Sequence, residues 1–460
     1  MYAAAYGHEE VVEILLGQAG VNPGRTDKLG RTPFSYAVGH GREGVMDILL
    51  GRAGANPHGV DNHGRTLLSH AAEQGQERMV KKLLGWEGVD PDKPDNFGKT
   101  PLTWAAMQGH EKVVKILLGR KEVNPDKPDD DGSTPLSYAA GGGHEKVVKI
   151  LLGREEVNPD KPDNDGRTPL SHAAHGHEGV VKILLEREQV NPDKPDNCGR
   201  TPFSYAAHGG HEGVVKILLR REQVNPDKPD NCGRTPLSYA AGIRCEGVVK
   251  ILLGREEVNP DKPDNNERTP LSYAAERGHE EVMKMLLGRE EVNPDRPDIY
   301  GRTPLSYATG ERESIFNSRG HEEVVKILLR REGVHPDEPI DITRIPLSYT
   351  AEIRREGVVK ILLGREEVNP DKPDNNGRTP LSYAAESERE GAVKILLGRE
   401  QVNPDKPDNN GRTPLSYAAG SGREEAVKIL LGREEVNPDR PDNGGETPFS
   451  YASRSGHGEW

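Results

Sequence analysis

The sequence predicts an all-α solenoid of stacked helix pairs with projecting hairpin or turn fingers, and three observations carry that expectation. First, a Thr-Pro step recurs at Thr32, Thr100, Thr134, Thr168, Thr201, Thr235, Thr269, Thr303, Thr379, Thr413 and Thr447, with Thr66 keeping the place without its proline and Ile345-Pro346 without its threonine. The interval is 34 residues, apart from one of 33 (Thr168 to Thr201) and one of 42 (Thr303 to Ile345). Second, each interval holds two short apolar segments and one segment rich in turn residues. Third, aromatic residues make up only 5% of the chain while Ala pairs recur in most copies, as expected where helices approach closely and few large side chains are needed. One such unit cannot cover its own apolar faces, whereas stacked copies bury a continuous core between neighbours.

The copy opening at Thr134 shows why each element should form. The Thr134 hydroxyl suits an N-cap and Pro135 the first helical position, where a backbone donor would be orphaned in any case. Leu136, Ala139 and Ala140 give a short apolar face, and Gly141 to Gly143 end that helix. A second helix starts near His144, with Glu145 in its first turn and Lys149 four residues on. Its core stripe is expected at Val147, Val148, Ile150, Leu151 and Leu152, and Gly153 closes it. The stretch Val157 to Gly166 is poor in helix formers and reads as a projecting finger.

Composition excludes several function classes. A net charge of −13 on 460 residues has the wrong sign for a nucleic-acid scaffold, and it spreads over the copies as a mixed solvated surface. No window approaches the roughly 18 apolar residues of a membrane span, and the start turns acidic where a secretory signal stays basic and apolar; no membrane partner is expected, and an intracellular place, cytoplasmic or nuclear, is. Cys198, Cys232 and Cys245 are odd in number and lack CxxC spacing, so reduced thiols are expected. The His144-Glu145 type of step has Val148 where a zinc-protease helix needs its second histidine, and no GxSxG or phosphate-binding loop occurs. The Gly-His residues of successive copies lie too far apart to share a metal ion, and the densest histidine group, His172, His175 and His177 with His208 and His211, is expected in a solvated turn. Neither catalysis nor a metal or other cofactor finds support.

A 34-residue period also fits tetratricopeptide repeats, but those require two longer helices with Trp, Gly-Tyr and a late Pro at set offsets. Here TPLSYAA, Gly-His, VVKILLG and the return through DNNGRTP instead resemble the ankyrin repeat, whose cue is T-P-L-H-x-A, over essentially residues 1–460. Two departures stand out. The His of that cue is Ser here, as in Ser137, so the imidazole tie between neighbouring turns is replaced by a shorter hydroxyl. Finger prolines such as Pro125 and Pro128 cannot donate to a strand ladder, so hairpin pairing weaker than the family's is expected. The organisation expected is one array over 1–460: a first unit cut short at 1–21, stacked units over 22–436 with an insertion at 310–319, and a last unit cut short at 437–460.

The resemblance implies a concave surface of finger tips and first helices that binds partner proteins. The position two after each Thr holds only Leu or Phe and reads as core. The position three before it is a mixture that no packing rule would select, and so reads as an exposed tip. Its apolar and aromatic members Leu29, Phe97, Tyr300 and Ile342 become protein-binding candidates, with Ile299 beside Tyr300 and Met107 at the end of a first helix. The insertion adds Ile315 and Phe316. The aromatic position four after Thr reads as partly buried spacers whose hydroxyls reach solvent, and Trp104 alone is kept there as a contact. Glu267 and Thr343 in place of the turn glycine, and Ile345 in place of the cap, mark where the stack should open. The function expected is a protein-interaction scaffold, as a monomer or as part of a larger chain. The near-identical copies also resemble the C-terminal arrays of NACHT-type NTPase receptors, which implies a sensor fragment; a purely structural spacer is the third alternative.

Overall fold

The threonine that opens each copy does cap a helix. In the computed structural model, which describes residues 1–51, 58–310, 318–337, 345–353 and 355–455, Thr134 Oγ1 accepts the N–H of Ser137 at 3.2 Å, and Pro135 begins a helix running Pro135–Gly141. His144 stands at the head of the second helix, Glu145–Leu152, with Gly153 at its end. This pair repeats along the chain, giving 27 helices among the described residues, in two compact units, Met1–Asn231 and Cys232–Trp460. Each unit is an all-α stack of such pairs, first helix against first helix and second against second. None of the helices is long and apolar enough to cross a membrane.

The core is built from the columns the periodicity marks. Leu136, Ala139, Ala140, Val147, Val148, Leu151 and Leu152 are buried, as are their counterparts in the second unit, Leu381, Ala384, Ala385, Val393, Leu396 and Leu397. Ile150 departs from the expected stripe and is half-exposed. The serine that replaces the family's histidine makes no bridge between copies. Ser137 Oγ lies 3.1 Å from Thr134 Oγ1, and in the Thr32 copy Ser35 Oγ also receives the Thr32 N–H at 2.9 Å, so the serine completes the cap of its own helix.

The tie between copies comes from the histidine at the head of the second helix, which for His177 replaces the solvated turn expected from the sequence. His110 Nε2 meets Glu73 O at 2.8 Å, His144 Nε2 meets Met107 O at 2.9 Å and His177 Nε2 meets Gly141 O at 2.8 Å. A carbonyl can only accept, so Nε2 carries the proton. Each imidazole thus satisfies a carbonyl left open at the end of the preceding copy's first helix. In the second unit His279 and His321 do the same, and Arg389 and Arg423 substitute with Nε–H bonds to Glu352 O at 3.2 Å and Glu386 O at 2.9 Å. The glycine of the preceding copy's Gly-His step leaves room for this approach: at Gly109, with φ +74, an added Cβ would lie 2.5 Å from His144 Nδ1.

The fingers hold together without strands. Among the described residues their only ladder is an isolated bridge between Val60 and Thr66, in line with the proline content. An aspartate folds each finger instead: Asp95 Oδ1 accepts the N–H groups of Phe97 at 3.0 Å and Lys99 at 2.9 Å. Successive fingers are then laced by Asn96 N–H to His63 O at 2.8 Å, Asn96 Nδ2 to Asn62 O at 3.1 Å, and Lys127 Nζ to Asp92 O at 3.0 Å. In the second unit Asn409 N–H reaches Asn376 O at 3.0 Å and Lys406 Nζ reaches Asp371 O at 2.7 Å. Two expected weak points are visible. Ile345 offers no side-chain cap, and Glu267 takes φ +60, a left-handed conformation costing a non-glycine residue roughly 1–2 kcal/mol. Thr343 lies outside the described residues.

Candidate protein-binding face

The same finger aspartate also organises the first-helix face. Nine residues on, a tyrosine in the middle of the first helix returns its hydroxyl to the free carboxylate oxygen. Tyr138 donates to Asp129 Oδ2 at 2.6 Å, Tyr307 to Asp298 Oδ2 at 2.6 Å and Tyr417 to Asp408 Oδ2 at 2.6 Å. These hydroxyls therefore do not reach solvent as expected, because a buried carboxylate of the same copy receives them. Burial, and next the bond to the aspartate, push the Tyr205 and Tyr273 hydroxyls up to about 12.

Between the rings stand arginines, each immediately before the Thr-Pro step. The Arg378 guanidinium lies 4.0 Å from the ring centres of both Tyr383 and Tyr417, and Arg268 lies 4.2 Å from both Tyr273 and Tyr307. In the first unit Arg200 covers Tyr205 at 4.9 Å, and Lys99 lies 5.7 Å from Trp104 and 5.1 Å from Tyr138. Carboxylates complete the set: Arg65 pairs with Asp61 at 3.0 Å and with Glu73 at 3.2 Å, and Arg268 and Arg378 pair with Glu276 and Glu386. Each cation over a ring contributes about 0.5–1 kcal/mol where water still reaches it. The signal was present in the sequence as a basic residue before most Thr-Pro steps, but it gains meaning only once the tyrosines of successive copies are known to face each other.

The structure places the binding candidates as follows. Leu29, Phe97, Ile299 and Tyr300 are at finger tips and are 43%, 53%, 55% and 61% exposed. Phe97 packs against His63 of the preceding tip, ring centres 6.0 Å apart, and Leu29 O accepts the N–H of Asn62, so Leu29, His63 and Phe97 follow one another along three tips of the first unit. Ile299 and Tyr300 share one tip of the second unit. There Ile299 stands where other fingers carry the lacing asparagine and keeps only the backbone bond, N–H to Asn266 O at 3.0 Å, while Arg302 lies 4.8 Å from the Tyr300 ring. Trp104 is half-buried in the aromatic column, its Nε1–H donating to Asp95 Oδ2 at 3.1 Å. Met107 is half-buried, and its carbonyl receives His144. Ile315, Phe316 and Ile342 lie outside the described residues. Sequence reasoning did not single out Val60 and Ile243, 45% and 40% exposed, and it read Phe449 as a member of the core column, where the structure leaves it 65% exposed.

No curated protein matches the chain. The family described as ankyrin repeats (3 copies) matches residues 1–95, 46–129, 68–161, 122–196, 188–264, 243–338, 315–408 and 389–459. These matches overlap along almost the whole sequence and agree with the helix pairs, the Thr-Pro caps and the finger turns of both units, so the chain belongs to the ankyrin-repeat family.

Proposed function

We propose that the chain is a protein-interaction scaffold which receives partner proteins on its finger tips and first helices and carries out no chemistry of its own. Ankyrin repeats are generally protein-binding modules. The observation that carries the assignment here is the contrast between buried columns and heterogeneous tips: Phe97 and Tyr300 are each more than half exposed, at a finger position whose identity changes from copy to copy, and Ile299 beside Tyr300 is equally exposed. Single exposed apolar residues are ordinary on protein surfaces, but these sit at equivalent places, and rigid aromatic side chains anchor interfaces efficiently.

The test is quantitative affinity capture with the full chain against Phe97→Ala and against the double variant Ile299→Asn, Tyr300→Asn, which restores the common tip. Capture should fall several-fold while the melting curve stays within a few degrees of the parent, because the tips bury little. Undiminished capture by both variants would make the array a spacer.

A further inference from the structure

We propose that the notch at Ser133, between Tyr138 and His172 on the first-helix face, is a docking site for an arginine side chain of a protein partner. This rests on the protein-binding reading above and gives one contact on that face its chemistry.

The other copies show what the notch is built to hold. Where Arg378 precedes its Thr-Pro step, the guanidinium is held at 4.0 Å from the ring of its own copy and 4.0 Å from the ring of the next, with the Glu386 carboxylate beside it. At Ser133 the surroundings are present and the guanidinium is not. Tyr138 has one ring face covered by Lys99 at 5.1 Å, and its hydroxyl is anchored on Asp129 Oδ2 at 2.6 Å. The next copy supplies His172, anchored on Asp163 Oδ2 at 3.0 Å. The two copies are laced by the same finger bond as the Arg378 pair, Asn164 N–H to Asp131 O at 2.9 Å against Asn409 N–H to Asn376 O at 3.0 Å. In the last copy Glu446 also replaces the arginine, but there Arg454 lies 5.6 Å from the Tyr451 ring, while Tyr138 has only Lys99.

Exposure and charge point the same way. Tyr138 is half-exposed, as is Tyr239, whereas Tyr205, Tyr273, Tyr307, Tyr383 and Tyr417 are buried. The place of Glu73, Glu276 and Glu386 is taken by exposed Gly141, and the short Ser133 side chain at the floor of the notch is bonded to Tyr138. Asp129 is buried and, among the described residues, has no ion-pair partner; in the equivalent site Asp196 Oδ2 accepts both the Tyr205 hydroxyl and Arg200 Nε–H, the latter at 3.2 Å. Exposed Asp130 and Asp131 add negative charge at the rim, and Asp165 of the next tip is paired with Arg167 at 3.3 Å. The Tyr138 hydroxyl is pushed up by burial first, then by its bond to Asp129 and the charges of Asp129 and Asp131; at Tyr273 the charges of Arg234 and Arg268 pull the other way. A flat cation that stacks on both rings and forks onto a carboxylate meets all these features, which a lysine ammonium does not.

The probe is the peptide acetyl-Gly-Arg-Gly-amide, titrated into the full chain carrying ring-labelled tyrosine and histidine and followed by NMR. Saturable shifts are expected at Tyr138 and His172, with acetyl-Gly-Lys-Gly-amide binding roughly fivefold more weakly or less well still, since the stacking contribution of a planar cation is lost. Ser133→Arg should abolish the shifts by filling the notch from within and raise the melting temperature; Ser133→Leu should abolish them without added charge. Equal affinity for the two peptides, or unchanged binding by Ser133→Arg with native helicity, would overturn the proposal. Absence of arginine binding while capture still depends on Phe97 would remove this site and leave the broader reading in place. Arginine binding with capture indifferent to Phe97 and Tyr300 would keep the site and remove the tips.

Discussion

Two neighbouring copies of the second unit, one opening at Ile345 and one at Thr379, separate what makes these helices from what merely trims them. Their first helices have the same length, Pro346–Glu352 and Pro380–Glu386, and the same buried leucine, Leu347 or Leu381. Thr379 accepts the Ser382 N–H, whereas Ile345 gives no side-chain cap and is simply buried. The Thr379 copy has Asp374 to receive the Tyr383 hydroxyl at 2.6 Å, whereas the sequence puts Ile340 at that place before Tyr349. A helix of the same extent survives the loss of its cap residue and of its aspartate position. The stack of leucine and alanine columns therefore defines the element, and the polar network adds stability and register on top.

The widest test of that separation is alkaline titration, because it acts on many copies at once. An unfolded tyrosine titrates near 10, while the Tyr205 and Tyr273 hydroxyls are pushed up to about 12 by burial and then by their aspartates, and Tyr307 and Tyr417 are raised for the same reasons. The raised folded values mean that this stabilisation is complete below pH 10 and is lost as the pH climbs to 12. Hydrogen exchange should show the copies of Tyr205, Tyr273, Tyr307 and Tyr417 loosening in that window; unchanged exchange there would mean that the hydroxyl network adds no stability. Next in size, Leu381→Ala and Leu347→Ala should each cost about 2–5 kcal/mol in urea unfolding, since both leave a cavity in the same column. A negligible cost at Leu347 alone would show that the uncapped copy is not packed as its neighbour is. Smallest, Thr379→Val keeps the shape and removes the cap, costing about 1 kcal/mol, with faster exchange confined to Pro380–Glu386; Ile345→Val should leave the exchange of its helix almost unchanged.

The parts of this fold that sequence reading recovered are those in which cause and effect lie inside one copy. The Thr134 cap, the Pro135 start, the Gly153 stop and the buried Leu136 and Leu151 all depend on residues a few positions apart. The parts it missed act between copies. The tie made by His144 is not legible in the sequence because its acceptor, Met107 O, lies 37 residues earlier in the chain. The tyrosine hydroxyls were assigned to solvent although Asp129 stands nine residues before Tyr138, a distance that becomes a contact only when the finger folds back over the first helix. The tips Phe97 and Tyr300 were legible as exposed positions, since variation among copies marks a surface. Ser133 could have been noticed as a copy lacking its basic residue, but an absent arginine has no meaning until the rings on either side are known to face each other.

The histidine tie has a consequence for how the array accommodates changes of length. It joins the head of a second helix to the end of the preceding copy's first helix, and it holds at separations of 36 residues for His177, 37 for His144 and 45 for His321. The segment between the two helices of a copy can therefore lose a residue or gain eight while the stacking partners stay engaged. That segment is a splice point: foreign loops grafted after Gly141, with Gly143-His144 retained behind them, should ride on an undisturbed stack, giving an addressable display position on a scaffold that already tolerates such variation.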